Sequence, residues 1–450
     1  MKEVQAFLTV RIWLKEQTPF PLTVIEEFIQ KGFITPHTGI QSNQNSTSRK
    51  TKNSQCRRCG FQQLTAFQCA KCKATCLYCR HCIQMGRVSS CSELITWTGP
   101  SLVEEVSHCF TWSGTLTSLQ GKASKELLTS VQLNQSHLIY AVCGAGKTEL
   151  LFTAIFDALE RGLRVCVATP RTDVVLELFP RFQDVFPKTV IHALYGGSPE
   201  QSNFAQLVLA TTHQLLRFEE AFDVVFLDEA DAFPYTVDKS LQFAVQKAKK
   251  KDAVVHMITA TPSEELLSQA VNISLISQRF HGFPLPVPRF VGLWNYKKHM
   301  YKDKLPQKLA EWTQQCLQND EPFLIFFPTI DLMERALPLF QQIHVEILAV
   351  HAEDPERKQK VLKLRHKKVC GLLTTTILER GITIPNVQVA VVGADEQIFT
   401  SSALIQVSGR VGRSVDFPTG DLVFFHHGIS LDMDKAKATI EEHNNSRERL

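Results

Sequence analysis

Two series of short apolar, largely β-branched runs constrain the fold of this chain more than any other feature. Each run is followed by a longer segment with a helical pattern. The first series covers residues 138–142, 165–168, 207–210, 224–227 and 254–258, and the second covers 323–327, 345–350, 369–373, 387–392 and 422–425. Strands read as continuous apolar runs when helices cover both faces of a parallel sheet. The sequence therefore predicts an α/β protein with two lobes, each built on a parallel sheet.

Shifts in composition divide the chain into four predicted regions. The first region, residues 1–54, includes a predicted helix near 22–32. The almost wholly polar stretch 41–55, which we interpret as a flexible linker, leads from this region into the next. A cysteine-rich module is assigned to 55–92, the first lobe to 93–285 and the second lobe to 286–450. The last boundary falls within a segment rich in proline, which cannot continue a helix and suits an extended crossing between lobes.

A phosphate-binding loop follows the first apolar run, where residues 141–148 read Ala-Val-Cys-Gly-Ala-Gly-Lys-Thr. Around Gly144, Ala145 and Gly146 the backbone N–H groups can converge on phosphate oxygens, and the start of the next helix adds positive potential. We predict that Lys147 reaches the β- and γ-phosphates of ATP and that Thr148 binds Mg²⁺. Alanine stands where the first glycine of this motif is usual, which is a small departure.

Adjacent carboxylates complete the predicted nucleotide site. The run 224–227 ends in Asp228 and Glu229, and an α/β sheet places its chemistry at the carboxyl ends of its strands. We predict that Asp228 is the second protein partner of Mg²⁺ and that Glu229 orients and deprotonates the attacking water. The alternative interpretation is an ordinary acidic turn after a strand, and it is disfavoured because the same chain also contains a phosphate-binding loop.

Further strings match, in order, the motif set of superfamily 2 helicases, which have two RecA-like lobes. Gln120 is expected to bind the adenine edge, and Thr-Ala-Thr at 259–261 resembles the motif that couples hydrolysis to lobe movement. The string at 406–413 resembles motif VI of this superfamily. Its Arg413, with Arg410 beside it, would contact the γ-phosphate and stabilise the charge that develops during transfer.

The same motif set implies contacts to a nucleic-acid backbone. In this superfamily, turns at strand ends hold phosphates with hydroxyls, N–H groups and arginine, which positions a strand without reading its sequence. The candidate residues are Pro170, Arg171, Thr211, Thr212 and Thr375. These motifs predict a nucleic-acid-stimulated ATPase that moves along a single strand.

The letters DEAD at 228–231 invite an RNA-helicase assignment. We do not follow it, because motif VI of that family begins with His-Arg, whereas here the string begins with Gln406. The strings at 116–120 and 374–382 instead resemble DNA-handling relatives such as the primosomal helicase PriA.

Seven of the 13 cysteines lie between Cys56 and Cys82, spaced like metal ligands. In a cytosolic protein this pattern favours zinc over disulfides. We prefer the C-x2-C pairs Cys56, Cys59, Cys79 and Cys82 as one tetrahedral site. The inner Cys69, Cys72 and Cys76 leave open an alternative set, Cys56, Cys59, Cys69 and Cys72, and a second metal. Cys91 and Cys109 are expected to be small buried or half-exposed residues, and Cys143 is expected to be structural.

Composition adds little about partners. The net charge of +4 is slight, and we interpret basic clusters such as the lysines at 247–251 as solvated helix faces. No apolar run approaches the roughly 18 residues that span a bilayer, and the start lacks the pattern of a signal peptide. We therefore expect a cytoplasmic protein.

Three strings together resemble the late competence ComFA family across about residues 55–415: Cys-Arg-Arg-Cys-Gly at 56–60, Tyr-Cys-Arg-His-Cys at 78–82 leading to Gly-Arg-Val, and the loop at 141–149. The resemblance implies an ATPase at the inner face of the cell membrane that drives single-stranded DNA inward during transformation. It also implies two partners, a phosphoribosyltransferase-like protein related to ComFC and a membrane channel related to ComEC.

Three alternatives are weighed against this interpretation. A PriA-like replication-restart helicase would be longer and would carry its cysteine cluster within the helicase core. An RNA helicase would be stimulated by RNA rather than by single-stranded DNA. A zinc-bearing adaptor on an inactive core would have lost Lys147, Asp228, Glu229 or the motif VI arginines, and all are present. Translocation polarity, duplex unwinding and a homo-oligomeric state are left open.

Overall fold

The computed structural model describes residues 2–42, 54–100, 107–201, 203–379 and 384–447. Most of the predicted linker, and Arg380 to Ile382 of the string at 374–382, lie outside these residues. The chain divides into two compact units. One consists of Met1–Thr115, Lys122–Ile139 and Thr148–Ser274, and the other of Leu116–Gly121, Tyr140–Lys147 and Leu275–Leu450.

The N-terminal region is built on a small antiparallel sheet. Its elements are α1 (Lys2–Leu8), β1 (Ile12–Leu14), α2 (Leu22–Gln30), β2 (Ile34–Thr38), β3 (Ile40–Ser42), β4 (Ser54–Cys56), β5 (Thr65–Gln68), β6 (Thr75–Tyr78) and β7 (Glu93–Trp97). Strand β7 pairs with both β1 and β2, while β3 pairs with β4 and β5 with β6. The cysteine segment is therefore inserted between two paired strands, and the strand that begins at residue 93 belongs to the N-terminal sheet.

A seven-stranded sheet carries the first lobe. Its elements are α3 (Ser118–Gln132), β8 (His137–Ala141), α4 (Phe152–Glu160), β9 (Val165–Thr169), α5 (Thr172–Val185), β10 (Ile191–Leu194), β11 (Leu207–Thr211), β12 (Val224–Asp228), α6 (Lys239–Ala248), β13 (Val255–Thr259), α7 (Glu264–Gln269) and β14 (Asn272–Ile276). The strand order is β10-β11-β9-β12-β13-β8-β14, and the pairs from β10 to β13 are parallel. Strands β9, β11, β12 and β13 therefore end at one edge, where their motifs follow.

A six-stranded parallel sheet carries the second lobe. Its elements are β15 (Arg289–Gly292), α8 (Tyr296–Met300), α9 (Gln307–Gln318), β16 (Phe323–Phe326), α10 (Ile330–Gln341), β17 (Ile347–Val350), α11 (Arg357–Arg365), β18 (Gly371–Thr374), β19 (Gln388–Val392), α12 (Ser401–Ser408), β20 (Leu422–His426) and α13 (Leu431–Arg447). The order is β15-β20-β19-β16-β18-β17, with every pair parallel. Two lobes with parallel sheets confirm the predicted fold class.

Burial explains why these sequences form strands. In each of β9, β11, β19 and β20 all five side chains are buried, as expected for strands covered on both faces. Short polar residues start the helices between them. Asp238, Thr329 and Thr400 accept hydrogen bonds from backbone N–H groups in the first turns of α6, α10 and α12.

Among the described helices, none is long and apolar enough to cross a bilayer.

Candidate nucleotide site and cysteine clusters

The phosphate loop leaves β8 at Ala141 and reaches a short 3₁₀ helix, Glu149–Leu151, that leads into α4. Gly144 and Gly146 have φ values of +83° and +69°, in the left-handed region that favours glycine. Lys147 and Thr148 end the loop and are half-buried. A glycine-shaped turn followed by a helix start fits the triphosphate of a nucleotide, with Lys147 as the cation.

Gln120 lies against this loop. Its side-chain amide donates to the carbonyl oxygen of Ala145 at 2.7 Å, and its Oε1 accepts from the backbone N–H of Thr117 at 2.8 Å. Only 4% of the residue is exposed. In this structure Gln120 therefore holds the phosphate loop, and its contact with adenine stays a prediction.

Asp228 is the last residue of β12, and its Oδ1 accepts the backbone N–H of Glu229 at 2.9 Å. Glu229 has φ +56°, a left-handed conformation that is strained for a residue with a side chain. Strained backbone of this kind occurs where surrounding structure fixes a functional group. The turn thus carries, at consecutive positions, the carboxylate predicted to bind Mg²⁺ and the carboxylate predicted to act on water.

The third carboxylate of the acidic motif joins it to the Thr-Ala-Thr string. The hydroxyl of Thr259 donates to Asp231 Oδ1, and that of Thr261 donates to Oδ2, both at 2.5 Å. Thr259 is fully buried, and its Oγ1 also accepts the backbone N–H of Thr261 at 3.0 Å. Hydrogen bonds to a carboxylate are about twice as strong as neutral ones. The two motifs are therefore tied together and should move as one piece.

Motif VI packs against the phosphate loop within the second unit. The thiol of Cys143 donates to Gln406 Oε1 at 3.1 Å. A Cβ atom on Gly409 would lie 2.2 Å from the Cβ of Cys143, so a side chain at 409 does not fit. Arg410 is buried and donates twice to the carbonyl oxygen of Glu379, at 2.9 and 2.7 Å, while Arg413 is half-buried. Glycine at 409 thus permits the close approach, and Cys143 has the structural role expected of it.

Arg279 is a residue of this region that sequence reasoning missed. Its guanidinium donates to the carbonyl oxygens of Val411 and Gly412, both at 2.6 Å, and its side chain lies over Gly144. The residue is fully buried, and burial lowers its pKa to about 10. It lies just after β14 in no recognisable motif, so the sequence carried no signal for it.

The predicted nucleic-acid contacts differ in exposure. Arg171 and Thr375 are half-buried, whereas Pro170 and Thr211 are buried. Thr212 is fully buried, and its hydroxyl lies out of reach of solvent. Any phosphate contact at Thr212 in this conformation would have to come from its backbone rather than from its hydroxyl. All five contacts stay predictions.

Cys56, Cys59, Cys79 and Cys82 converge, with their sulfur atoms within 4.8 Å of one another, and all four are buried. The sulfurs are 3.7 Å apart between Cys56 and Cys82 and 3.5 Å apart between Cys59 and Cys79. A zinc tetrathiolate with Zn–S bonds near 2.3 Å has sulfur–sulfur edges of about 3.8 Å. The donor set and its dimensions therefore fit structural zinc.

Arg58 supports this cluster. Its guanidinium donates to the sulfur of Cys82 at 3.1 Å and to the carbonyl oxygen of the same residue at 2.7 Å. Hydrogen bonds from the thiols of Cys56, Cys59 and Cys79, together with the charge of Arg58, lower the pKa of Cys82. The thiolate is the form that binds metal.

The remaining clustered cysteines form a separate group. The sulfurs of Cys69, Cys72, Cys76 and Cys91 also lie within 4.8 Å of one another. The alternative ligand set that combined Cys56 and Cys59 with Cys69 and Cys72 is therefore wrong, because the two pairs belong to different clusters. Cys91 is half-buried, as expected, and it also joins the second cluster.

The cysteine module is attached to helix α6 within the first unit. Lys247 Nζ donates to the carbonyl oxygen of Arg58 at 2.7 Å and to that of Leu216 at 2.9 Å. Burial lowers the pKa of Lys247 to about 8. Interpreting the lysines at 247–251 as a solvated face is therefore wrong for Lys247, whereas Lys251 does have a side chain that is 83% exposed.

Other contacts reinforce this attachment. His81 Nε2 lies 2.6 Å from Ser240 Oγ and 3.2 Å from Asp238 Oδ2, at the start of α6. Arg57 pairs with Glu219 at 3.0 Å. Gly60 has φ +72°, and a Cβ there would lie 2.9 Å from the ring of Phe243. The module is thus held against the helix that follows the acidic motif.

Two RecA-like lobes with these motifs in this order define an ATP-hydrolysing enzyme of helicase superfamily 2. Residues 117–268 match the DEAD/DEAH box helicase family, residues 305–415 match the helicase conserved C-terminal domain, and residues 1–96 match the competence protein ComFA N-terminal domain. The chain belongs to the ComFA family of competence proteins.

Individual relatives agree with this assignment. The chain is 43% identical to competence protein ComFA of Bacillus subtilis (strain 168), over 98% of this chain and 95% of the relative. It is 37% identical to competence protein ComFA of Streptococcus pneumoniae (strain ATCC BAA-255 / R6), over 84% of this chain and 90% of the relative. The fold is also similar to that of the solved structure of S. cerevisiae Dbp5 bound to RNA and ADP BeF3. The matched region covers 73% of this chain and 91% of the Dbp5 chain, with a TM-score of 0.55. At 16% identity that likeness concerns the fold alone.

Proposed function

We propose that this protein is an ATP-driven motor that moves along single-stranded DNA and drives DNA uptake during natural transformation. The observation that carries the proposal is the near full-length similarity, 43% over 98% of the chain, to a protein named for competence. The same chain joins the cysteine module to both helicase lobes. A motor of this kind needs a nucleotide-binding site, a binding site for the DNA strand and a structural connection that couples the two.

The phosphate loop and the acidic motif form the nucleotide site of this proposal. Lys147 and the backbone of the loop hold the phosphates of ATP, and Thr148 and Asp228 ligate Mg²⁺. The ion, when bound, neutralises charge on the phosphate oxygens. Glu229 accepts the proton of the attacking water.

The motif VI arginines contact the γ-phosphate of ATP in this proposal. Arg413 and Arg410 stabilise the charge that develops on the γ-phosphate during transfer. The contact between Cys143 and Gln406 and the tight approach of Gly409 support this role, because they show that motif VI can lie against the phosphate loop. Loss of the γ-phosphate then changes what these arginines can bind.

The grip on DNA comes from turns at the ends of the strands. Arg171 and the hydroxyl of Thr375, both half-buried, contact phosphates of a single strand. The turns at Pro170, Thr211 and Thr212, whose side chains are buried, add contacts to the same strand. The tie from Asp231 to Thr259 and Thr261 supports a link from the acidic motif to the rest of the lobe. Contacts confined to the backbone give a motor that tolerates any sequence.

Partners and position in the cell follow from the resemblance to ComFA proteins. The protein acts in the cytoplasm at the inner face of the cell membrane. There it meets a phosphoribosyltransferase-like protein related to ComFC and a DNA channel related to ComEC. Zinc at Cys56, Cys59, Cys79 and Cys82 stabilises the N-terminal module that serves these contacts or binds DNA.

A translocation assay tests the proposal. Purified protein and ATP are added to single-stranded DNA with biotin at one end or the other, and the rate of streptavidin displacement is measured. Displacement from one end, absent in Glu229→Gln, is expected. An RNA strand of the same sequence is the control. Equal displacement from RNA, or none from DNA, would overturn the motor assignment, and normal transformation of the host carrying Lys147→Ala would overturn the role in uptake.

A further inference from the structure

Four cysteines outside the predicted zinc site lie together in a second group. Cys69, Cys72 and Cys76 come from the hairpin of β5 and β6 and its turn, and Cys91 comes from the segment before β7. Cys69 and Cys76 are each only 5% exposed, Cys91 is half-buried and Cys72 is exposed. All four are free thiols.

We propose that Cys69, Cys72, Cys76 and Cys91 bind a second zinc ion, independent of the site at Cys56, Cys59, Cys79 and Cys82. The proposal does not rest on the proposed motor function, since it concerns only metal bound by the purified chain.

The dimensions of the group are those of a tetrathiolate. The sulfurs of Cys69 and Cys91 are 3.5 Å apart, and those of Cys72 and Cys76 are 3.2 Å apart. A zinc site has sulfur–sulfur edges of about 3.8 Å, whereas a disulfide brings two sulfurs to about 2.05 Å. The four atoms thus form two close pairs that all lie within 4.8 Å, as in the first site. Four thiolates with this geometry are typical of zinc or of iron–sulfur centres.

The backbone brings these ligands together by several turns. The N–H of Cys69 donates to the carbonyl oxygen of Ala74 at 3.0 Å, which closes the tight loop that carries Cys72. Lys73 has φ +53°, a turn conformation that lets the chain reverse between Cys72 and Cys76. Cys91 is brought to the hairpin by the hydrogen bond from Ser90 N–H to the carbonyl oxygen of Leu77, at 2.8 Å.

Little apolar burial holds this hairpin in place. Of the buried apolar residues packed around the first cysteine site, none comes from residues 65–78. Within β5 and β6 the only buried side chain is Cys76. An isolated two-stranded hairpin is marginally stable in water. A metal that joins three cysteines of the hairpin to Cys91 supplies the missing stabilisation, because metal-binding free energy is folding free energy in such a module.

The two sites are interleaved along the chain, in the order Cys56 and Cys59, then Cys69 to Cys76, then Cys79 and Cys82, then Cys91. The first site is buried against the lobe, whereas the second includes an exposed thiol. We therefore expect the second zinc to exchange faster with a chelator than the first.

Metal analysis of the full chain tests this proposal. Protein purified in reductant is measured for zinc and iron by mass spectrometry, alongside Cys91→Ser, Cys72→Ser and Cys56→Ser. The matched control is Cys109→Ser, which changes a half-buried cysteine outside both clusters. We expect about two zinc ions per wild-type chain, about one in Cys91→Ser and in Cys72→Ser, and no change in Cys109→Ser.

A second readout separates loss of the site from loss of the fold. Cobalt(II) in a tetrathiolate site absorbs visible light with a spectrum distinct from that of other ligand sets. Cobalt-loaded Cys91→Ser should keep the tetrathiolate spectrum of the first site at about half the wild-type intensity. One zinc per wild-type chain with no change in Cys91→Ser, stoichiometric iron in place of zinc, or a disulfide linking these cysteines in reduced protein would each overturn the proposal.

Discussion

Removing the amine of Lys247 should loosen the cysteine module from α6. In Lys247→Met the carbonyl oxygens of Arg58 and Leu216 lose a charged donor at 2.7 and 2.9 Å. Each unsatisfied buried carbonyl costs about 1–3 kcal/mol. Part of this loss is offset, because the ammonium no longer has to be desolvated. We expect a net local destabilisation of about 2 kcal/mol, or roughly 30-fold in the opening equilibrium.

Hydrogen–deuterium exchange of a peptide covering residues 54–61 measures this opening. Its amides include Gly60 N–H, bonded to the carbonyl oxygen of Cys56 at 2.8 Å, and they exchange when the module opens. The exchange rate should rise roughly 30-fold in Lys247→Met. It should stay at the wild-type value in Lys251→Met, whose lysine is exposed. Equal exchange in both variants and the wild type would refute the attachment.

Other substitutions test the nucleotide site. Lys147→Ala should abolish ATP hydrolysis, and Glu229→Gln should bind ATP without hydrolysing it, as measured by phosphate release and fluorescent-nucleotide binding; normal hydrolysis by either would sink the site assignment. Asp231→Asn places an amide where two hydroxyls donate at 2.5 Å, so it should lose about 1.5–3 kcal/mol and slow hydrolysis at least tenfold; an unchanged rate would mean that the tie is not needed. Gly409→Ala forces a Cβ to 2.2 Å from that of Cys143, so it should destabilise the contact between motif VI and the phosphate loop by about 1–3 kcal/mol and slow ATP hydrolysis. Replacing Cys143 by glycine in the Gly409→Ala variant removes the clashing Cβ and should restore hydrolysis. Failure of this rescue would contradict the proposed clash.

Central strands were predictable because they are buried on both faces. The run at 224–227 became β12 with one residue added, and the run at 422–425 became β20 in the same way. Within the two lobes, the strands that sequence reasoning missed are β10, β14 and β15, which lie at sheet edges and are not buried along their whole length. Such strands lack the continuous apolar run on which the prediction depended.

The site was predictable where a motif defines it and not where only folding brings residues together. Lys147 and Asp228 could be proposed from local strings, because phosphate and Mg²⁺ binding impose fixed spacing. Arg279 and Cys91 were missed, since each lies far along the sequence from the groups it joins. Lys247 was taken for a solvated residue because a run of lysines does not reveal that one of them is half-buried and donates to two carbonyl oxygens.

Steady-state ATP hydrolysis by the purified chain, alone and with single-stranded DNA, duplex DNA or RNA, shows most directly which nucleic acid the ATPase works on. We expect strong stimulation by single-stranded DNA, little by duplex DNA or RNA, and none in Lys147→Ala. Equal or stronger stimulation by RNA, or no stimulation by any nucleic acid, would contradict a motor that works on single-stranded DNA.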